Sequence, residues 1–229
     1  MLDEARGVRW VEASILGMLA YLLALADSSD DARRHWLRSR AIFEELGMSF
    51  ALAARAVIPA GIERMAGELE AAERELRLGH DQLEAIGEKE LRSTVAATLA
   101  HVLHEQGRDD EAEGFARACA DAAAAEDIGS QVLWRSALAK IVARRDHDTA
   151  AELLADEAVR LAATTDMLSL HGTAVLDRAR VAALLNTDGA APPELIAEAQ
   201  ALFRSKGDAA SLRRLELELV GAEASASRA

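Results

Sequence analysis

The chain repeats itself, and that limits its folding options more than any other feature. The strings GELEAAE from Gly67, GRDDEAE from Gly107 and DHDTAAE from Asp146 nearly superimpose, and DSSDDAR from Asp27 fits the same frame. Their starting points at 27, 67, 107 and 146 lie 40, 40 and 39 residues apart. A second marker keeps the stride. Gly47, Gly87, Asp127, Asp166 and Gly207 close FEELG, LEAIG, AAAED, ATTD and FRSKG at intervals of 40, 40, 39 and 41. Repeats of this length are single supersecondary units that cannot bury an apolar face alone and must stack on their neighbours.

Composition says what each unit is made of. Eight aromatics and three prolines in 229 residues leave little material for strands or tight hairpins, while Ala, Leu, Glu and Arg, the strong helix formers, are abundant. Two helices and two turns fill a 40-residue unit. The expected pairs are therefore 4–46, 48–86, 88–126, 128–165 and 167–206, split near residues 27, 67, 107, 147 and 187, with a capping helix over 208–220 on the last pair. Residues 221–229, GAEASASRA, read as a disordered tail. Gly at the turns suits the left-handed end of a helix, and acids such as Glu68, Glu70, Asp109 and Asp110 suit the positive start of the next. In 187–193 the chain carries one extra residue, and its prolines suit a helix first turn.

Small residues recur where helices must approach closely: Ala32, Ala72, Ala112 and Ala151 early in each second helix, then Ser39, Gly79, Cys119, Ala158 and Ala199 further along. Leu99, Ala100, Gly107, Ala112 and Cys119, together with Gly67, Ala72, Leu76 and Gly79, follow the order small, large, turn glycine, alanine and small. In that order the chain resembles the tetratricopeptide-repeat family. The period is nearer 40 than that family's 34, and its closing proline is missing. Longer units of this kind are similar to the helical C-terminal region of actinobacterial multidomain regulators that join a nucleotide cyclase to an ATPase. The likeness runs through GELEAAERELRLGHDQLEAIGEKELRSTVAATLA and SQVLWRSALAKIVARR. No cyclase or P-loop motif is present, so neither activity carries over. The resemblance implies an all-α, right-handed α-solenoid of about five hairpins plus a cap, acting as a protein- or peptide-binding module of a larger signalling or transcriptional regulator.

A formal charge of −13 argues against nucleic acid as a partner. The longest apolar stretch, 15–26, is shorter than the ~20 residues that cross a bilayer, and the N-terminus has no secretory pattern. A cytoplasmic protein is expected. One cysteine excludes an internal disulfide. Asp109-Asp110-x-x-Glu113 spells the magnesium motif of all-α terpenoid synthases, but it occupies the acidic helix-start slot of every unit. His101 and His104, one turn apart with Glu105 beside them, could offer two or three ligands to a metal, and no second histidine cluster matches them. Cys119 occupies a small-residue packing slot. No nucleophile, phosphate-loop or zinc motif appears, so no enzyme, metal or cofactor is expected.

Charge separates the two kinds of helix. The first helices of the second to fifth pairs carry ten bases and five acids, and the second helices seven bases and twenty acids. In the tetratricopeptide arrangement the first helices line the concave face. That resemblance, with residues counted back from each turn, nominates Tyr21, Arg64, Met65, His101, His104, Lys140, Arg144 and Arg180 as groove residues. Such a groove would draw carboxylates or an acidic peptide. A competing reading is that these are solvated helix faces, since the first pair lacks the asymmetry. Three other functions remain open: a small-molecule sensor, an all-α enzyme, and a structural dimerisation element. The helix containing SILGMLAYLLALA, apolar on nearly every side, points either to a preceding repeat or to a homodimer through the N-terminal pair.

Overall fold

The computed structural model describes residues 2–187 and 189–226, and among them the chain is helical with no strand. In chain order the helices are α1 (Leu2–Leu25), α2 (Ser29–Glu45), α3 (Ser49–Ala53), α4 (Val57–Ala66), α5 (Leu69–Ala85) and α6 (Glu90–Glu105). They continue as α7 (Asp109–Ala122), α8 (Ile128–Asp146), α9 (Ala150–Ala162), α10 (Leu168–Leu185), α11 (Pro193–Lys206) and α12 (Ala209–Ala226).

The turns show the period most sharply. Left-handed backbone falls at Asp27, Gly67, Gly107 and His147, in steps of 40, so the fourth turn pivots one residue beyond the Asp146 expected from sequence. Asp and His, the non-glycine types that tolerate this conformation best together with Asn, stand where glycine is missing. At the first three turns the N–H groups of the turn residue and its successor bond back to carbonyls three and five residues earlier. Gly67 N–H reaches Arg64 O at 3.1 Å, and Glu68 N–H reaches Glu63 O at 2.8 Å. This closes the helix end and aims the chain back along its own pair.

Helices pack in successive pairs, α1 with α2, α4 with α5, α6 with α7, α8 with α9 and α10 with α11. The first helices also approach one another in series, from α1 to α4, α6, α8 and α10, whereas the backbones of the second helices stand further apart and meet through long side chains, as Arg40 of α2 meets Glu75 of α5. The first helices therefore form a tighter inner row. Their composition fits that place. On α6, α8 and α10 buried residues lie on every side, as a helix surrounded by others requires. Outer helices such as α5, α7 and α9 bury a single stripe. Ala72, Ala112, Ala151, Ser39, Cys119, Ala158 and Ala199 are all inaccessible to solvent.

Three features depart from the sequence reading. The helix expected over 48–66 is broken into α3 and α4. Pro59 lacks an N–H and crowds the carbonyl four residues before it, and Gly79 of α5 presses on the break. A Cβ there would lie 2.2 Å from Ala56 Cβ and 3.2 Å from Ala53 O. Next, α7 stops at Ala122, and Asp127, read as a helix end, instead caps α8 by accepting from Ser130 N–H at 3.1 Å. Last, α12 does not simply stack on the last pair. It runs helical through Ala226, beyond the expected end at 220, and crosses the inner row to touch α1 and α4. Of the expected disordered tail, 227–229 lie outside the described residues.

Candidate functional site

The inner row and α12 enclose a polar layer. Lys140, on the fourth turn of α8, and Asp177, on the middle of α10, are charges buried among largely apolar neighbours. Lys140 is 2% exposed and Asp177 1%. The Lys140 ammonium donates to Asp177 Oδ1 at 3.0 Å and to His101 Nδ1 at 3.1 Å, while His101 Nε2–H donates to the Leu133 carbonyl at 3.0 Å. These partners fit one neutral tautomer of His101. Burial, then the Lys140 charge, push its pKa down to about 3. Burial by itself would raise Asp177, but the charges of Lys140 and Arg180 outweigh it and hold the carboxylate ionised. Lys140 is pulled the other way by burial, against the attraction of Asp177. Asp177 Oδ2 is buried without a hydrogen-bond partner.

Two further ion clusters adjoin this core. Arg180 links Asp177 Oδ1 at 3.0 Å to Glu218 on α12 at 2.6 Å. Glu105, at the end of α6, accepts from Arg64 at 2.5 Å and from Arg214 of α12 at 3.1 Å. Burial opposes that charge, yet the two arginines keep it well below the ordinary carboxylate range. His104, one turn from His101, donates from Nδ1 to Asp109 Oδ1 at 2.8 Å, and its Nε2 accepts from Arg144 at 3.1 Å. Its tautomer is the opposite of His101's, and burial with the Lys140 and Arg144 charges lowers its pKa to about 4. Both nitrogens of both rings are thus engaged within the protein, and Asp109, the first acid of the DDxxE string, is held by His104 and Arg144. Glu113, its last, is held by Arg117 and Arg145.

Lys140, Arg144, Arg180 and Arg214 line one cavity of about 660 Å³ with His104, Glu105 and Glu218. Four cations against two carboxylates give it a positive balance inside an acidic chain.

The eight residues expected in the groove divide as follows. Arg64, His101, His104, Lys140, Arg144 and Arg180 come together in the layer just described. Lys140 and His101 lie in its buried core, not as free surface charges. Tyr21 is partly open beside Gly61, where burial, followed by the charge of Asp208, raises its phenol pKa. The Met65 side chain packs with Ala20, Ala24 and Trp36. Its carbonyl accepts from Arg213 of α12. Sequence reasoning missed Asp177, Arg214 and Glu218, and noted Glu105 only as a neighbour of His101 and His104. Asp177 had a signal, as the only acid in the eighteen residues of α10. Arg214 and Glu218 had none, because nothing local says that α12 turns inward.

The excess of bases on inner helices has a second use. Arg135 pairs with Glu157, Arg145 with Glu113, Arg178 with Asp156 and Arg92 with Glu84, each joining an inner helix to an outer one. Much of the asymmetry is therefore spent on holding the rows together. Elsewhere, His80, Asp81 and Glu84 on α5 are the one trio among the described residues whose ligand atoms could converge on a cation, and Arg92 already engages Glu84 at 2.8 Å. Burial raises the Cys119 thiol to about 12, which leaves it an inert packing group.

Comparison with protein-family models and with curated proteins finds no match to this chain.

Proposed function

We propose that this chain is a non-catalytic binding module, an α-solenoid of tetratricopeptide type that holds an acidic segment or free carboxylate of a partner protein in the cavity between α8, α10 and α12. The observation that carries the reading is the cationic cavity: Lys140, Arg144, Arg180 and Arg214 converge on it, and its volume of about 660 Å³ suits a few residues of peptide. Lys140 and Arg180 are preorganised by Asp177 and Glu218, so little ordering cost remains at binding. As the resemblance implies, the module would belong to a larger cytoplasmic signalling or transcriptional regulator.

A small anionic metabolite is the second reading, favoured by α12, which lies across the inner row and closes off the long open groove that an extended peptide needs.

Arg144, more than two-fifths exposed, can be changed without emptying the core. Fluorescence anisotropy with a labelled decapeptide ending in Asp-Asp-Glu should report saturable binding that weakens at least tenfold in Arg144→Glu, with the melting temperature lowered by no more than a few degrees through the lost contacts to His104 and Asp109. Equal binding by both proteins, or none by either, removes the peptide reading. A rise in melting temperature with citrate in the wild type alone supports the metabolite reading instead.

A further inference from the structure

The outer flank of α1 carries a seam that nothing among the described residues covers. Val8, Val11, Ile15, Met18 and Leu22 are spaced by three, four, three and four residues, the spacing of an a/d coiled-coil stripe. They are 69%, 46%, 60%, 65% and 49% exposed, and Leu19 beside them is also open. The opposite side of the helix, with Ala13, Ala20 and Ala24, is fully buried against α2 and α4. The seam runs about 21 Å along the helix. It amounts to several hundred Å², more than a monomer ordinarily leaves to water.

We propose that the seam is a homodimer interface, in which α1 of one copy packs antiparallel on α1 of a second. Three observations select this occupant. The first is width: only one helix of the terminal pair is apolar on this side. α2 turns Arg33 and Arg40 toward the next pair, where they meet Glu63 and Glu75, and its other flank carries Arg34 and Arg38. A stacked helical pair would have to bury those charges, whereas a single helix fits between them. The second is self-complementarity. A two-fold axis midway between Ile15 and Met18 sets Ile15 of one copy against Met18 of the other and Val11 against Leu22. The bordering charges Arg9 and Glu12 are already neutralised by Glu45 and Arg38. The third is area: doubled across the axis, the seam approaches the ~1,200 Å² at which specific interfaces begin.

A bilayer is the competing occupant, because Arg6–Leu25 has the length and hydropathy of a spanning helix. Spanning would require α1 to leave α2, breaking the Ser39 hydroxyl bond to the Ala13 carbonyl at 2.6 Å and exposing Trp36 and Phe43. Lying flat on an anionic leaflet would oppose the chain's −13 charge.

Sedimentation equilibrium on the 229-residue chain should give twice its 24.5 kDa at tens of micromolar. Ile15→Glu with Met18→Glu should return it to a monomer of unchanged helix content, since both side chains are exposed in the protomer. As a check on orientation, a mixture of Ile15→Cys and Met18→Cys proteins should form the mixed disulfide in preference to the Ile15→Cys homodimer. A wild-type monomer at 100 µM overturns the proposal. So does a dimer that survives the double substitution, or sedimentation with phosphatidylcholine–phosphatidylglycerol vesicles in place of self-association.

Discussion

His101 and His104 sit one turn apart on α6 and hold opposite tautomers, because Lys140 donates to one ring while Asp109 accepts from the other. Both lose basicity on folding, from the ordinary 6.5 to about 3 and about 4. The unfolded chain therefore takes up more protons below pH 6.5, and stability falls as pH drops toward 4, by up to about 1.4 kcal/mol per pH unit for each ring. Asp177 and Glu105, held low by their cations, lose their contribution at still lower pH, with the same sign. Urea unfolding should show a midpoint that declines steadily from pH 6.5 to 4.5, and His104→Gln should remove about half of that slope. A midpoint flat across this range would mean that the rings are protonated inside the fold.

At the scale of helices, two glycines separate a packing requirement from a propensity. Gly79 lies where α5 crosses the α3–α4 break, with Ala56 already in the space a methyl group would need. Gly114 lies inside α7 with nothing within 4 Å of a new Cβ. Gly79→Ala should destabilise by about 2 kcal/mol through overpacking, and Gly114→Ala should stabilise by about 0.5–1 kcal/mol through helix propensity. Thermal melts of the two variants should move in opposite directions. The small residue at position 79 was legible in the repeat, being the counterpart of Ser39, Cys119 and Ala158. The helix break it presses against was not read, although Pro59 marks it, because periodicity averages over a single interrupted turn.

Across the whole molecule, α12 ties together parts of the chain that are far apart in sequence. Leu215 is buried against Val175, Leu176 and Phe203. Arg213 bonds Asp27 at 2.7 Å and the Met65 carbonyl at 3.2 Å, and Arg214 reaches Glu105. Truncation after Gly207 should lower the melting temperature by several degrees. Hydrogen exchange should lose protection in α10, in the end of α4 and at the α1–α2 turn. A simple terminal cap would release only α10 and α11, so protection retained at the α1–α2 turn would count against closure by α12.

The sequence by itself determined that the chain is helical and where most of its turns fall, while the place of the first helices on the inner row was only what the tetratricopeptide resemblance implied. These follow from local and periodic properties: helix formers without strand formers, left-handed turn residues at a fixed stride, and small residues where axes cross. The same resemblance, counted along the repeat, nominated Arg64, His101, His104, Lys140, Arg144 and Arg180 for one face, since a repeat carries equivalent positions to equivalent places. Tertiary structure alone decided that Lys140 is a buried ion held by Asp177, that Asp127 caps α8, and that α12 folds inward to complete the cavity with Arg214 and Glu218. The Asp127 cap is local, reaching only to Ser130, and was hidden by the stride of the repeat, but the others depend on contacts between residues 37 to 109 positions apart, and Asp27 and Arg213 are 186 apart. No short window of the sequence contains both partners, and only the path of α12 across the inner row to α1 and α4 brings Asp27 and Arg213 within hydrogen-bonding distance.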